Sequence, residues 1–453
     1  MRCRAAVLLP LLLPGCVLFA QSTVPLLEPS ASAPQKHLET TNEPLPTAPV
    51  PQQEMPAQPP AAQGTRMVLT LTDVIAMAER DSPRIQEASA VTNRAEATLL
   101  TAKAYTNPSV EVYEGEQYSR PAPNPGNPGL LQHYAALQTI ENPTERRARK
   151  RAAQFGISSS QSLEQAVVLS VLADAKHAFY NALRQREEIQ HAQENLQLVE
   201  DLRRRVEVEV QTGEKGRLEL TRAEAELARA RFQVRSAELQ YAYAIANLRV
   251  TIAAPADANI DPQGKFEPRT PLPPLEQLRS KVLDTHPVIA TSRANTQAAQ
   301  ATLDRERALR IPAPVAFAEF ENQPDLRYWR LGATIPIPLW DRRRGQIADA
   351  RALISQSNAV LNQRQLELTA VLERAYEQYQ LADQQATSLE AGSLRAAESA
   401  VDAAKAAYRF GERGIVEVLD AQRVLQSVRG DLLDAQFARQ SAMVDLESLG
   451  VRP

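Results

Sequence analysis

The chain has 453 residues and a formal net charge of −3, too near neutral to provide an electrostatic footprint for nucleic acid. Only 16 residues are glycine and 5% are aromatic, while Ala, Leu, Glu, Gln and Arg dominate; this argues against the two or three thick-cored globular domains that length alone suggests. Both cysteines, Cys3 and Cys16, lie among the first 16 residues, so the remaining chain has neither a disulfide nor a thiolate metal site.

Residues 1–20 read as a secretory signal, with Arg2 and Arg4 ahead of an apolar run, Ala5 to Leu13, that is too short to span a bilayer. Two processing routes fit. Leu13-Pro14-Gly15-Cys16 resembles a lipobox and would place a lipid anchor on Cys16, whereas cleavage after Ala20 would leave Gln21 first. Residues 21–66 are rich in Pro, Ala, Thr and Gln and read as a disordered tether.

The folded part then reads as two repeats, 67–255 and 274–450, joined by a linker at 256–273. The first opens with a helix capped by Thr72, broken at Ser82-Pro83 and ending near Thr106; its counterpart starts near Pro274-Leu275, breaks at His286-Pro287 and ends at Ile311-Pro312. Pro83 and Pro108 recur as Pro287 and Pro312, about 204 positions later. An extended hairpin follows each helix. In 315–338, Trp329, Leu331, Ala333, Ile335 and Ile337 alternate with Tyr328, Arg330, Gly332 and Thr334, a strand with one apolar face; the alternation in 109–141 is poor.

Each hairpin ends in a basic cluster, Arg146 to Arg151 in one case and Arg342, Arg343 and Arg344 in the other. Positive charge at a helix start opposes the helix dipole, so an outside partner is expected; lipid phosphates fit, as does ordinary surface charge. Long helices, Thr144 to Thr212 and Gly345 to Phe410, span on the order of 100 Å each. They turn at Gly213-Glu214-Lys215-Gly216 and at Gly411-Glu412-Arg413-Gly414, and helices of about half that length return. The returning helices carry matching seams. One is Leu220, Ala223, Leu227, Ala230, Val234, Ala237, Tyr241, Ala244 and Leu248; the other is Val418, Ala421, Leu425, Val428, Leu432, Ala435, Ala442 and Leu446, interrupted only by Arg439. A turn and its seam recurring about 198 positions apart mark a duplication.

Two repeats supply four strands, and an open four-stranded sheet in lipid would leave two unpaired edges, so a spanning barrel needs other copies of the chain. Glycine allows the positive φ of a tight turn between helices, so Gly213, Glu214, Lys215 and Gly216, with Gly411, Glu412, Arg413 and Gly414, are either docking tips or plain hairpin turns. Glu417 and Asp420, just past the second turn, read as a cation-attracting gate or as a solvated helix face. Trp329 reads as part of an aromatic girdle or as a turn-packing ring. The five histidines are far apart in the chain, and no zinc-protease, phosphate-loop, dinucleotide or nucleophile-elbow motif occurs; no enzymatic activity, cofactor or metal site is expected.

Over about Leu69 to Gly450 the chain resembles the TolC family of bacterial outer-membrane efflux channels. The segment Tyr-Arg-Phe-Gly-Glu-Arg-Gly-Ile-Val-Glu-Val-Leu-Asp-Ala-Gln, 408–422, is similar to the family's second hairpin, and Ile335-Pro-Ile-Pro-Leu-Trp-Asp-Arg-Arg-Arg-Gly345 looks like the strand-to-helix junction of its cobalt-zinc-cadmium and copper efflux subgroup. The first-half junction, Glu141 to Arg146, departs from that pattern. The resemblance implies a mainly α fold with a small β part: a homotrimer with a twelve-stranded outer-membrane barrel above a periplasmic helical tunnel, docked on a periplasmic adaptor and an inner-membrane pump of the resistance-nodulation-division type. Its implied function is a passive exit duct, for heavy-metal cations in that subgroup and for drugs or proteins elsewhere in the family. A periplasmic coiled-coil scaffold without a barrel is the rival reading.

Overall fold

The computed structural model describes residues 66–118 and 128–451. The signal sequence, Cys16 and nearly all of the tether lie outside the described residues. Arg66, expected at the end of the tether, instead begins the strand β1 (Arg66–Leu69). Helix α1 (Leu71–Asp81) is capped by Thr70 rather than Thr72, because Thr70 and Asp73 form a reciprocal capping box. Helix α2 (Pro83–Lys103) ends three residues before Thr106. Strands β2 (Ser109–Gln117) and β3 (Gly129–Thr139) lead into α3 (Pro143–Gln211), a helix of 69 residues. Helix α4 (Arg217–Thr251) returns from the first tip.

The second half repeats this order with α5 (Leu275–Thr285), α6 (Pro287–Ala308), β5 (Val315–Asn322) and β6 (Arg327–Thr334). Strand β6 stops at Thr334, not at Pro338. Thr334 pairs with Val315, the first residue of β5, and neither Pro336 nor Pro338 has an N–H to extend the ladder. The second long helix is not continuous. It runs as α7 (Arg344–Ser388) and α8 (Leu394–Arg409), joined by a π-helical turn at Leu389–Ser393, before α9 (Ile415–Ser448) returns. A π turn carries an extra residue and so rotates the following face, which here brings Ala397 and Val401 of α8 against Leu425 of α9.

Between the halves the chain is not a plain linker, because β4 (Asn259–Pro262) lies within 256–273 and pairs in parallel with β1. Strands β1 and β4 pack over the largest buried cluster, which contains Phe179, Tyr180, Leu183, Leu248 and Ile252. The residues after β4 are strapped across the helices. Tyr180 Oη donates to Glu267 at 3.0 Å, Gln440 Oε1 accepts the Glu267 N–H at 3.1 Å, and Tyr379 Oη donates to the Thr270 carbonyl at 2.6 Å. Burial, reinforced by Glu267, pushes the Tyr180 phenol well above its ordinary pKa and keeps it a donor.

This strap explains the one break in the α9 seam. The Arg439 guanidinium donates to the Glu267 carbonyl at 3.4 Å and lies 3.6 Å from Asp383, whose other oxygen pairs with Arg269 at 2.9 Å. Asp383 is only 6% exposed, so it needs these cations. Completing the heptad with Arg439→Leu is therefore expected to destabilise the helical part by about 1–3 kcal/mol rather than stabilise it, because Asp383 loses a partner. Thermal unfolding followed by circular dichroism at the helix band checks this, and a raised midpoint would contradict the assignment.

Candidate functional site

Two regions stand out, the sheet and the far ends of the helical hairpins. The sheet has the strand order β2-β3-β5-β6, antiparallel throughout, and the β3–β5 pairing joins the two halves of the chain. Among the described residues, β2 and β6 have no strand on their outer sides.

Directly paired residues share a face, so each cross-strand row lies wholly on one side of the sheet. One face carries the rows Val112–Tyr134–Phe320–Trp329 and Val110–Ala136–Ala318–Leu331. Trp329 and Leu331 are each 70% exposed and Val110 is 73% exposed. The other face carries Tyr113–His133–Glu321–Tyr328 and Glu111–Ala135–Glu319–Arg330. The apolar face is thus open and the polar face is internally bonded, the reverse of a sheet resting on a protein core. The poor alternation of the first hairpin reflects Glu114, Gln132 and Gln138, which register places on the apolar face.

Half of the basic residues in the clusters at the sheet-to-helix junctions, Arg146, Arg149, Arg151 and Arg343, are satisfied within the chain and need no outside partner. Arg146 donates to the Lys103 carbonyl at 2.6 Å, and Arg149 donates to the Ala102 and Ala104 carbonyls and to Glu141. These arginines cap the carbonyl end of α2, where positive charge is favourable. Arg343 pairs with Glu306 and takes a left-handed backbone, φ 55°, held by Asp341 Oδ1, which accepts the Arg343 N–H at 2.8 Å. Arg342 and Arg344 are exposed and form no ion pair among the described residues, and exposed Arg147 and half-buried Lys150 likewise have none, so these four keep the expected freedom.

The two tips are built alike. Gly213 and Gly411 have φ of +80° and +72°, and their Cα hydrogens face open space, so backbone conformation alone requires glycine there. Glu214 and Lys215 both donate their N–H to the Glu209 carbonyl, as Glu412 and Arg413 do to that of Ala407. Gly216 and Gly414 cap the returning helices in an extended conformation open to other residues, which limits the positive-φ argument to the first glycine of each turn.

The tips also meet each other. Leu202, Val206 and Ala223 of the first hairpin bury against Ile415, Val418 and Leu419 of the second. Tyr408 Oη donates to Glu209 at 2.6 Å, with Lys215 Nζ 5.9 Å from the same ring. Burial first, then the Glu209 carboxylate, raises the Tyr408 pKa, so this link persists at any physiological pH. Glu417 and Asp420 are exposed on α9; Asp420 is 3.0 Å from Arg423, which also bonds Glu226 of α4 at 2.8 Å. Sequence reading missed Phe410, which is 81% exposed beside the second tip and has a readable signal in an aromatic next to a turn glycine. It also missed that His133, far in sequence from any other candidate ligand, meets Glu319 and Glu321 on the polar sheet face.

The fold recurs in known proteins. Residues 278–450 match the family model described as Outer membrane efflux protein. The chain is 29% identical over 217 residues to the cobalt-zinc-cadmium resistance protein CzcC of Cupriavidus metallidurans, a match covering 48% of this chain and 50% of that protein. It is 26% identical over 310 residues to the pyoverdine export outer membrane protein OpmQ of Pseudomonas aeruginosa, covering 66% and 65% of the two chains. The chain thus spans about half the length of the first relative and about two thirds of the second. The crystallised channel CusC superposes with a TM-score of 0.73 at 19% identity over 90% of this chain and 98% of that one, which fixes the fold as TolC-like. The fold is thus TolC-like over nearly all described residues, and the pattern of the outer membrane efflux protein model is matched across the second half, residues 278–450.

Proposed function

We propose that this chain is one third of an outer-membrane exit duct in a tripartite efflux system. One observation carries the reading: a four-stranded sheet with an open apolar face and two unpaired edges. In a bilayer every edge N–H and C=O must find a partner, and three copies joined β2 to β6 give twelve strands with none left over. The strands are 9, 11, 8 and 8 residues long, close to the roughly 9–11 that a tilted strand needs to cross the hydrocarbon. The helices then form a periplasmic tunnel about 100 Å long. Trp329 faces lipid on this reading, and the unpaired Arg342 and Arg344 contact inner-leaflet phosphates. Cys16 is the candidate lipid attachment residue.

The duct is passive and not an enzyme; an inner-membrane pump of the resistance-nodulation-division type supplies the energy through a periplasmic adaptor. The adaptor docks on the tips, where Gly213, Glu214, Gly411, Glu412 and Arg413 are exposed and Phe410 offers an apolar anchor. The gate carries Glu417 and Asp420, and the Arg423–Glu226 and Tyr408–Glu209 links hold the two hairpins of a protomer together. Similarity to a cobalt-zinc-cadmium resistance protein favours metal cations as cargo; similarity to a pyoverdine exporter favours a siderophore as the second reading.

The purified protein is expected to migrate as a trimer that shifts on heating and to fractionate with the outer membrane. A soluble monomer would instead support a periplasmic scaffold. Deleting 411–414 should abolish export in cells while leaving that heat-modifiable species intact, and undiminished export removes the docking role. In planar bilayers Arg423→Ala is expected to raise the closed-state conductance a few-fold, since a half-exposed pair of this kind contributes at most about 1 kcal/mol to the closed arrangement. An unchanged conductance argues against the gate.

A further inference from the structure

The polar face of the sheet holds a cluster with chemistry of its own. His133 on β3 pairs directly with Glu321 on β5, and Glu319 is two residues along β5 on the same face. One ligand atom from each of the three residues lies within 4.8 Å of the others, and His133 Nδ1 is 3.5 Å from Glu319 Oε1. The His133 side chain is only 7% exposed, and its buried Nδ1 has no hydrogen-bond partner among the described residues. A buried imidazole nitrogen aimed at two carboxylates without a hydrogen bond calls for an explanation. The ring is held in place, since Tyr113 stacks on it with centroids 4.1 Å apart and planes 8° apart. Glu321 is oriented as well, accepting from Tyr328 Oη and, at 2.9 Å, from Gln323 Nε2.

We propose that His133 Nδ1 and the carboxylates of Glu319 and Glu321 form a binding site for a divalent transition-metal cation of the zinc or cobalt type. One imidazole nitrogen with two carboxylate oxygens suits these borderline ions better than magnesium or calcium, which prefer oxygen alone. Ligand atoms around a tetrahedral zinc lie roughly 3.3 Å apart, given metal–ligand bonds of about 2.0–2.2 Å, so the His133–Glu319 spacing is near the required value already. Three protein ligands leave the fourth position to water. The tyrosine and glutamine around the cluster supply the outer-shell support such sites use.

Arg330 sets the affinity. Its guanidinium pairs with Glu319 and lies 3.9 Å from Glu321, so a metal ion must displace it. The site therefore exchanges its ion readily, which suits a stop on a pathway, where binding must permit both entry and release. That use on an export path rests on the duct reading; the site itself rests only on the sheet.

The test uses the full-length protein purified from outer membranes, titrated calorimetrically with Zn²⁺ and spectroscopically with Co²⁺. One ion per chain is expected. His133→Ala should abolish binding and Glu321→Gln should weaken it roughly 10-fold or more, since loss of outer-shell support alone costs 10–100-fold. Arg330→Gln should bind more tightly than the unaltered protein, a gain that misfolding cannot produce. Heat-modifiable migration of each variant confirms the sheet. Absence of saturable binding by the folded protein, binding that survives His133→Ala at some other histidine, or an affinity unmoved by Arg330→Gln would each overturn the site. Zn²⁺ binding by an unaltered protein whose removal from cells leaves metal export unchanged keeps the site and counts against the duct reading, whereas binding lost in His133→Ala with export intact leaves the duct and removes its use of this site.

Discussion

The β3–β5 ladder is the interaction on which the rest of the molecule depends. It pairs Gln132 to Thr139 with Asn322 to Val315 and joins two halves that are otherwise copies of one plan. The pairing aligns the two sheet-to-helix junctions, where Ile140 donates its N–H to the Pro314 carbonyl and Asn142 bonds the Ala308 carbonyl. From there α3 and α7 begin, and α4 and α9 return packed against them. The same pairing makes β2 and β6 the outer strands and fixes which side chains share a face. A slip of one residue would carry Trp329 and Phe320 to the side of Glu319 and Glu321.

Charge is handled differently in three places. At the junction, arginines cap helix carbonyls and pair with the nearly buried Glu141 and Glu145, so their charge is spent inside the chain. In the middle, Asp383 collects Arg269 and Arg439 and ties the inter-repeat strap to the helices. At the tips, charge is left on the surface except where Tyr408 and Arg423 bridge the hairpins. Such exposed or half-exposed links are individually weak, and this is consistent with an end that has to move.

Much of the fold was legible in the sequence because helices and turns are local. The seam of α4, from Leu220 to Leu248, is buried or half-buried at every position that periodicity picks out, and the tip glycines fall where the turns are. The second hairpin was legible because its strand is two-faced. What could not be read was partly a choice between neighbouring candidates and partly a matter of partners distant in the chain. Thr70 took the cap from Thr72 through Asp73, Pro336 could not extend a ladder whose partner strand had ended, and the π turn at Leu389–Ser393 leaves the heptad pattern on either side intact.

By itself the sequence determined the duplicated order of helix, hairpin, long helix and return, since periodicity, proline breaks and turn glycines act within a few residues of each other. Only the tertiary structure decided which residues from different repeats touch. It paired β1 with β4, Arg66 opposite Asn259 across 193 positions of chain, gave Arg439 its reason by supplying Asp383, and set His133 beside Glu319 and Glu321. The physical reason is the same each time: a hydrogen bond or an ion pair reports on distance in space, and a lone polar residue in sequence carries no sign of the partner that folding will bring to it.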